Sequence, residues 1–158
     1  MNNYFEKFRG IDGQTPPPRR PWDEIVWSWL ASFVGIYAVY QLNGYMNIAE
    51  NESLYLIGSF GASAVLIYGT PMGDLSQPRS FICGHLLSAL IGVLVYKLFP
   101  ADVALAGALA VSLAIAGMHA SRTLHPPGGA TALIAVVGGN NIHDLGFGYV
   151  LVLTCSPI

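Results

Sequence analysis

Charge is what this chain lacks first. Charged residues make up 10% of its 158 residues, where a soluble domain carries about 25%. The few charges are also unevenly placed. Lys7, Arg9, Arg19 and Arg20 precede Trp22, and from Ile25 onward the bases are Arg79, Lys97 and Arg122 and the acids Glu50, Glu52, Asp74, Asp102 and Asp144. With 53% hydrophobic residues, this reads as a polytopic integral membrane protein with one all-α membrane domain and a lipid bilayer as its surroundings. No basic stripe suits nucleic acid, so that partner is not expected. Cysteine is scarce too. Cys83 and Cys155 stand singly in apolar stretches, which gives neither a disulfide framework nor a thiolate metal site. No two histidines have the i, i+4 spacing of a helical metal site. No metal and no cofactor is therefore expected. Met1 to Gly10 contains no apolar run, so a cleaved signal peptide is not expected.

What is present divides into a polar arm, 1–24, and a membrane domain, 25–158. In the arm, Pro16, Pro17, Pro18 and Pro21 enclose Arg19 and Arg20; extended polyproline with arginines suits a tether on an anionic membrane surface. The membrane domain reads as a helical bundle of four to six segments. A first span is expected from Ile25 to Leu42, with Trp22, Trp27 and Trp29 at one end and Tyr37, Tyr40 and Tyr45 at the other, as interfacial belts require. Apolar segments follow at Leu54–Gly69, Phe81–Phe99 and Val103–Met118, then a short one at Ala130–Val137 and a last from Phe147. Two stripes of small residues, Gly84/Ser88/Gly92 and Ala104/Ala108/Ser112/Ala116, predict close helix packing, within the chain or between protomers of a homo-oligomer. The excess of basic residues before Trp22 places the N-terminus in the cytoplasm, with Arg79 and Arg122 inside and Lys97 outside. A plasma (inner) membrane is the expected location.

One segment does not fit a plain membrane helix. Thr123-Leu124-His125-Pro126-Pro127-Gly128-Gly129-Ala130-Thr131-Ala132 puts a titratable side chain, two prolines and two glycines between apolar runs. Broken backbone at membrane depth is tolerated where it is buried in protein or lines a cavity. Gly129-Ala130-Thr131-Ala132 also resembles Gly61-Ala62-Ser63-Ala64. Two copies separated by an odd number of spans would form an inverted repeat. Broken or half-helices are then expected at Gly61 and Gly129, their free N–H groups meeting near the midplane as an anion site. The plain alternative is that these glycines and hydroxyls only pack helices.

His125-Pro126-Pro127 with Gly128-Gly129-Ala130-Thr131-Ala132 resembles the signature of the HPP family of integral membrane proteins. The resemblance extends through Phe60-Gly61-Ala62-Ser63-Ala64, Gln77-Pro78-Arg79 and Gly84-His85-Leu86-Leu87-Ser88-Ala89, over roughly residues 22–150. It implies a membrane transporter. The family is described with four transmembrane helices, and some plant and cyanobacterial members are implicated in nitrite transport. Family members continue with a full helix after Gly148-Tyr149-Val150-Leu151, whereas here Thr154-Cys155-Ser156-Pro157-Ile158 follows, so a truncated last helix is expected.

The expected function is transport or channelling of a small inorganic anion, with nitrite the favoured case. The candidate ion pathway is His125, Pro126, Pro127, Gly128, Gly129, Thr131, Gly61, Ser63, His85 and Arg122. His125 either handles an anion or proton or caps the preceding helix. His85 and His119 either join it or pack as polar residues. Arg79 and Arg122 mark cytoplasmic ends or draw anions inward, and Asp74 is a candidate partner for Arg79. Two other classes stay open: a non-transporting membrane subunit or sensor, and an intramembrane hydrolase using Ser63 with a histidine base. The second is disfavoured because Gly61-Ala62-Ser63-Ala64 lacks the glycine after serine of a nucleophile elbow. The chain is read as not an enzyme.

Overall fold

The computed structural model describes residues 19–45 and 50–155, with side chains over 19–41 and 58–152. The arm before residue 19, the side chains of Tyr45, Glu50 and Glu52, and the end of the chain from residue 156 lie outside the described residues. All the described secondary structure is helical: α1 Trp22–Tyr45, α2 Glu50–Gly69, a 3-10 turn Asp74–Ser76, α3 Pro78–Leu98, α4 Val103–Ser121, α5 Pro126–Val137, α6 Asn140–Leu145 and α7 Gly148–Cys155. Helices α3 and α4 are long and apolar enough to cross a membrane. At 21 residues, α3 extends about 31 Å, the thickness of the hydrocarbon layer.

The helix ends follow from local chemistry. Pro78 opens α3 after an extended Gln77, where a missing N–H costs nothing. Asp102 caps α4, its Oδ1 accepting from the Leu105 N–H at 3.0 Å. Arg122 closes α4 in the left-handed region at φ 56. Its N–H donates to the His119 carbonyl at 3.2 Å and the Thr123 N–H to Met118 at 2.9 Å, the paired bonds of a Schellman ending. Arg79 does not pair with Asp74 as expected. Its Nη2 donates to the Ser121 carbonyl at 3.1 Å, because the C-terminal carbonyls of α4 lack helical partners and attract a cation.

Helices α3, α4 and α5 pack mutually, α2 lies against α5, α1 against α2, and α7 against α3. The Gly84/Ser88/Gly92 stripe is buried and lets α5 approach: a Cβ on Gly92 would sit 2.6 Å from the Ala132 carbonyl. This stripe is spent within the chain. The second stripe does not pack within the chain. Ala104, Ala108, Ser112 and Ala116 are exposed, while Ala106, Ala110, Ala114 and Met118 form the buried face of α4. Helix α1 leaves Trp22, Trp27, Trp29, Phe33, Tyr37 and Tyr40 exposed, as suits a helix bathed in lipid.

The break at His125 is real, and the break at Gly61 is not. His125 has φ −139 and ψ 102, and α5 begins after it, as the residue before proline requires. Helix α2 instead runs through Gly61 from Glu50 to Gly69. A glycine within a helix costs only about 1 kcal/mol, and no proline is there to stop the ladder.

Candidate functional site

Five polar side chains converge where α2, α3 and α5 meet. Ser59 and Ser63 lie one turn apart on α2, His85 lies two turns into α3, His125 precedes α5 and Thr131 follows in its second turn. All five are buried, with His125 and Thr131 at 0% exposure. Ser63 Oγ stands 3.0 Å from His85 Nε2 and 3.0 Å from His125 Nε2. His85 Nδ1 lies 2.7 Å from Thr131 Oγ1, which lies 3.0 Å from Ser59 Oγ. Ser59 Oγ also lies 3.1 Å from the Pro127 carbonyl. At the other end His125 Nδ1 is 2.8 Å from the Leu75 carbonyl in the 3-10 turn. Phe81 sets its ring edge-on to both imidazoles, with centroids 4.9 Å from His85 and 5.2 Å from His125. The Tyr149 hydroxyl donates to the Thr131 carbonyl at 3.1 Å, so α7 holds the far side.

Donor and acceptor capacities fix the direction of this chain when both rings are neutral. A carbonyl only accepts, so His125 carries its proton on Nδ1 and presents a bare Nε2. Ser63 has one proton, and His125 Nε2 needs it. Ser63 Oγ then accepts from His85 Nε2–H, which leaves His85 Nδ1 bare to accept from the Thr131 hydroxyl. Ser59 donates to Thr131 or to Pro127. Every polar atom is satisfied in this one arrangement, as burial demands.

No formal charge enters. Arg19, Arg20, Arg79, Lys97 and Arg122, the described bases, are all exposed, as are the described acids Asp23, Glu24, Asp74, Asp102 and Asp144. Among the described residues no cluster of side chains could hold a metal ion.

The ten candidates divide accordingly. His85, His125, Ser63 and Thr131 come together as side chains, and Pro127 through its carbonyl. Gly128 is buried because a Cβ there would meet Ser88 Oγ at 2.8 Å and the Gly84 carbonyl at 3.1 Å. Pro126 is exposed. Gly61 and Gly129 do not meet: Gly61 lines a groove against α1, while a Cβ on Gly129 would face Val111 on α4. Arg122 is exposed at the end of α4, and His119 is exposed one turn before it. The expected pairing of two half-helix starts is not formed, because α2 runs unbroken through Gly61; at the start of α5 the Gly128 N–H donates to the His125 carbonyl at 2.9 Å. His125 does not cap α4: its ring nitrogens stand against Ser63 Oγ and the Leu75 carbonyl. Ser59, Phe81, Leu75 and Tyr149 were not singled out from sequence. Only Ser59 carried a signal, one helical turn before Ser63.

The HPP transmembrane-region family model matches residues 17–157. The chain belongs to the HPP family. Two transmembrane proteins of Dictyostelium discoideum are similar: one is 47% identical over 158 residues, covering 97% of this chain and 49% of that protein; the other is 49% identical over 140 residues, covering 85% and 48%. The chain spans about half the length of these relatives. No solved structure matches it. This HPP domain is thus a membrane protein whose described secondary structure is all helical, and its signature histidine is one of two at the centre of a buried polar network.

Proposed function

We propose that this HPP protein carries a small inorganic anion, nitrite first among them, across a plasma membrane, with its N-terminus in the cytoplasm. The observation that supports it is the buried Ser59–Thr131–His85–Ser63–His125 chain of polar contacts inside the helical bundle. Ionisable residues at membrane depth mark substrate or proton paths by default. Stability alone does not call for them: interhelical hydrogen bonds in membranes contribute about 0.6 kcal/mol each, and close packing at Gly84 and Gly92 already joins α3 to its neighbours. Exposed Arg79 and Arg122 flank the end of α4, three residues before His125, where they would raise local anion concentration. The nitrite preference comes from the family resemblance.

The chain is proposed not to be an enzyme. Ser63 contacts two histidines, yet it sits inside the unbroken helix α2, whose N–H groups are bonded within the helix. No donor pair faces it as an oxyanion hole would. The exposed Ala104/Ala108/Ser112/Ala116 face offers a surface for a second protomer.

The test is nitrite uptake by proteoliposomes holding the 158-residue chain, against protein-free vesicles. Uptake above that background, lost in His125→Asn, is expected. Equal uptake with and without the protein would refute the transport reading and favour a subunit or sensor.

A further inference from the structure

The relay holds two imidazoles and no fixed charge. An anion brought to it would stand in the bundle without a counter-ion, since every described base is exposed. Burying an unpaired charge is prohibitive. The one way to place a positive charge there is to protonate a ring.

The geometry accepts such a proton without moving a heavy atom. If His125 takes it, Nδ1–H still donates to the Leu75 carbonyl at 2.8 Å and Nε2–H now donates to Ser63 Oγ at 3.0 Å. The Ser63 hydroxyl must then turn away, and the Ser59 carbonyl stands 3.2 Å from it. The site is also reached from the other end, when the extra proton binds at His85 Nδ1, which then donates to Thr131 Oγ1 at 2.7 Å. The His85 Nε2–H bond breaks as an O–H bond forms at Ser63, and the original Ser63 O–H bond breaks as an N–H bond forms at His125 Nε2. His85 is left neutral with Nε2 accepting from Ser63 at 3.0 Å. The Thr131 hydroxyl then turns to the Pro127 carbonyl, 3.5 Å away.

From that state the charge can cross back. The His125 Nε2–H bond breaks and an O–H bond forms at Ser63. The original Ser63 O–H bond breaks and an N–H bond forms at His85 Nε2. One proton enters Ser63 and one leaves. His125 ends neutral with Nε2 accepting from Ser63, and His85 becomes the imidazolium, donating from both nitrogens. Every donor is satisfied before and after.

We propose that His85 and His125 form a single-proton site bridged by Ser63, and that this proton is the counter-ion carried with the anion, making transport an electroneutral proton–anion symport. Ser63 and Phe60 of α2, Leu75 of the 3-10 turn, Phe81 of α3 and Thr131 of α5 contact the two rings, with Ser59 and Tyr149 bonded behind Thr131. None of these is charged, and Tyr149 is the one other titratable group. The coupling rests on the transport reading; the sharing of the proton does not.

Two measurements test it. First, proteoliposomes loaded with a pH-sensitive dye are given an inward nitrite gradient, with the membrane potential clamped by potassium and valinomycin. The expected result is luminal acidification in step with nitrite entry, unchanged by the clamped potential. Ser63→Ala should lower it by about a hundredfold or more, the range in which a positioned proton-transfer group acts. Nitrite flux without proton movement would overturn the coupling and leave the transport reading standing; no nitrite flux at all would overturn both.

Second, nitrogen-15 NMR of histidine-labelled protein in nanodiscs reads the protonation of each ring. The chain has four histidines, so His119→Gln and His143→Gln assign the spectrum. A neutral pair should show bare nitrogens at His85 Nδ1 and His125 Nε2. Acidification should add one proton shared between the two rings, and in Ser63→Ala the rings should titrate separately. Two rings titrating independently in the wild-type chain, or the opposite neutral tautomers, would overturn the shared site whatever the flux shows. Because the spectra also report whether Ser63→Ala keeps its fold, lost flux in a folded variant counts for the bridge, and retained flux counts against it.

Discussion

Gly92→Ala should loosen this protein, although alanine is the better helix former. A Cβ at Gly92 falls 2.6 Å from the Ala132 carbonyl oxygen, 2.7 Å from Ala135 Cβ and 3.0 Å from Ala132 Cα. Ordinary contact begins near 3.4 Å, so α3 and α5 must part by roughly 0.8 Å. The obstruction is mostly backbone and cannot swing aside. Overpacking of this kind costs about 2–3 kcal/mol, and replacing a helix-interior glycine returns about 1 kcal/mol. The net loss is about 1–2 kcal/mol, or about 2–8 °C in Tm for a chain of this size. The same opening carries His85 away from Thr131, whose 2.7 Å contact would stretch toward the limit of a hydrogen bond. Gly61→Ala is the matched control: nothing lies within 4 Å of its Cβ, so stability should hold or rise by up to about 1 kcal/mol. Fluorescence-detected size exclusion after graded heating in detergent measures both. A Gly92→Ala protein as stable as wild type, or a Gly61→Ala protein equally weakened, would refute the packing argument.

Two further substitutions probe the frame. Arg122→Gly removes a left-handed strain of about 1–2 kcal/mol against about 0.4–1 kcal/mol of added freedom in the unfolded chain, so a gain of about 0.5–1 kcal/mol is expected in the same heating assay. Tyr149→Phe deletes the buried hydroxyl bond to the Thr131 carbonyl and should cost about 1 kcal/mol, or about 2–4 °C; an unchanged midpoint would show that α7 is not held by that bond.

The features legible in the sequence were those with strong local causes. His125 lies out of the helical region because a proline follows, and α5 starts at the paired prolines as a consequence. Ser63 and Thr131 stand out as a pair through Gly-Ala-hydroxyl-Ala. The sequence suggests backbone donors at both, and in the fold it is their hydroxyls that contact His85. The matched start of a half-helix is missing at Gly61, where no proline breaks α2. The face of α4 was not legible. Almost every residue of Val-Ala-Leu-Ala-Gly-Ala-Leu-Ala-Val-Ser is small or apolar, so a four-residue stripe drawn through Ala104 fits as well as one through Ala106, and only packing chooses. Leu75 and Tyr149 were invisible because a carbonyl partner and an α7 hydroxyl depend on tertiary placement alone.

The two Gly-Ala-hydroxyl segments meet through a third element, and that explains why the relay has its shape. Ser63 on α2 and Thr131 on α5 do not bond to each other; each takes one nitrogen of the His85 ring, at 3.0 Å and 2.7 Å. An imidazole is the one uncharged side chain that offers a donor and an acceptor on opposite edges and can exchange them. Replacing His85 by glutamine could still bridge two hydroxyls, but its amide cannot reverse direction by passing a proton along. If the ring served only to glue α2 to α5, glutamine would serve as well. His85→Gln should therefore keep the midpoint of unfolding within about 1–2 kcal/mol of wild type, the range of a few membrane-embedded hydrogen bonds, while the proton component of nitrite flux disappears. Loss of stability and flux together, restored together by other polar residues, would instead make the relay a packing device.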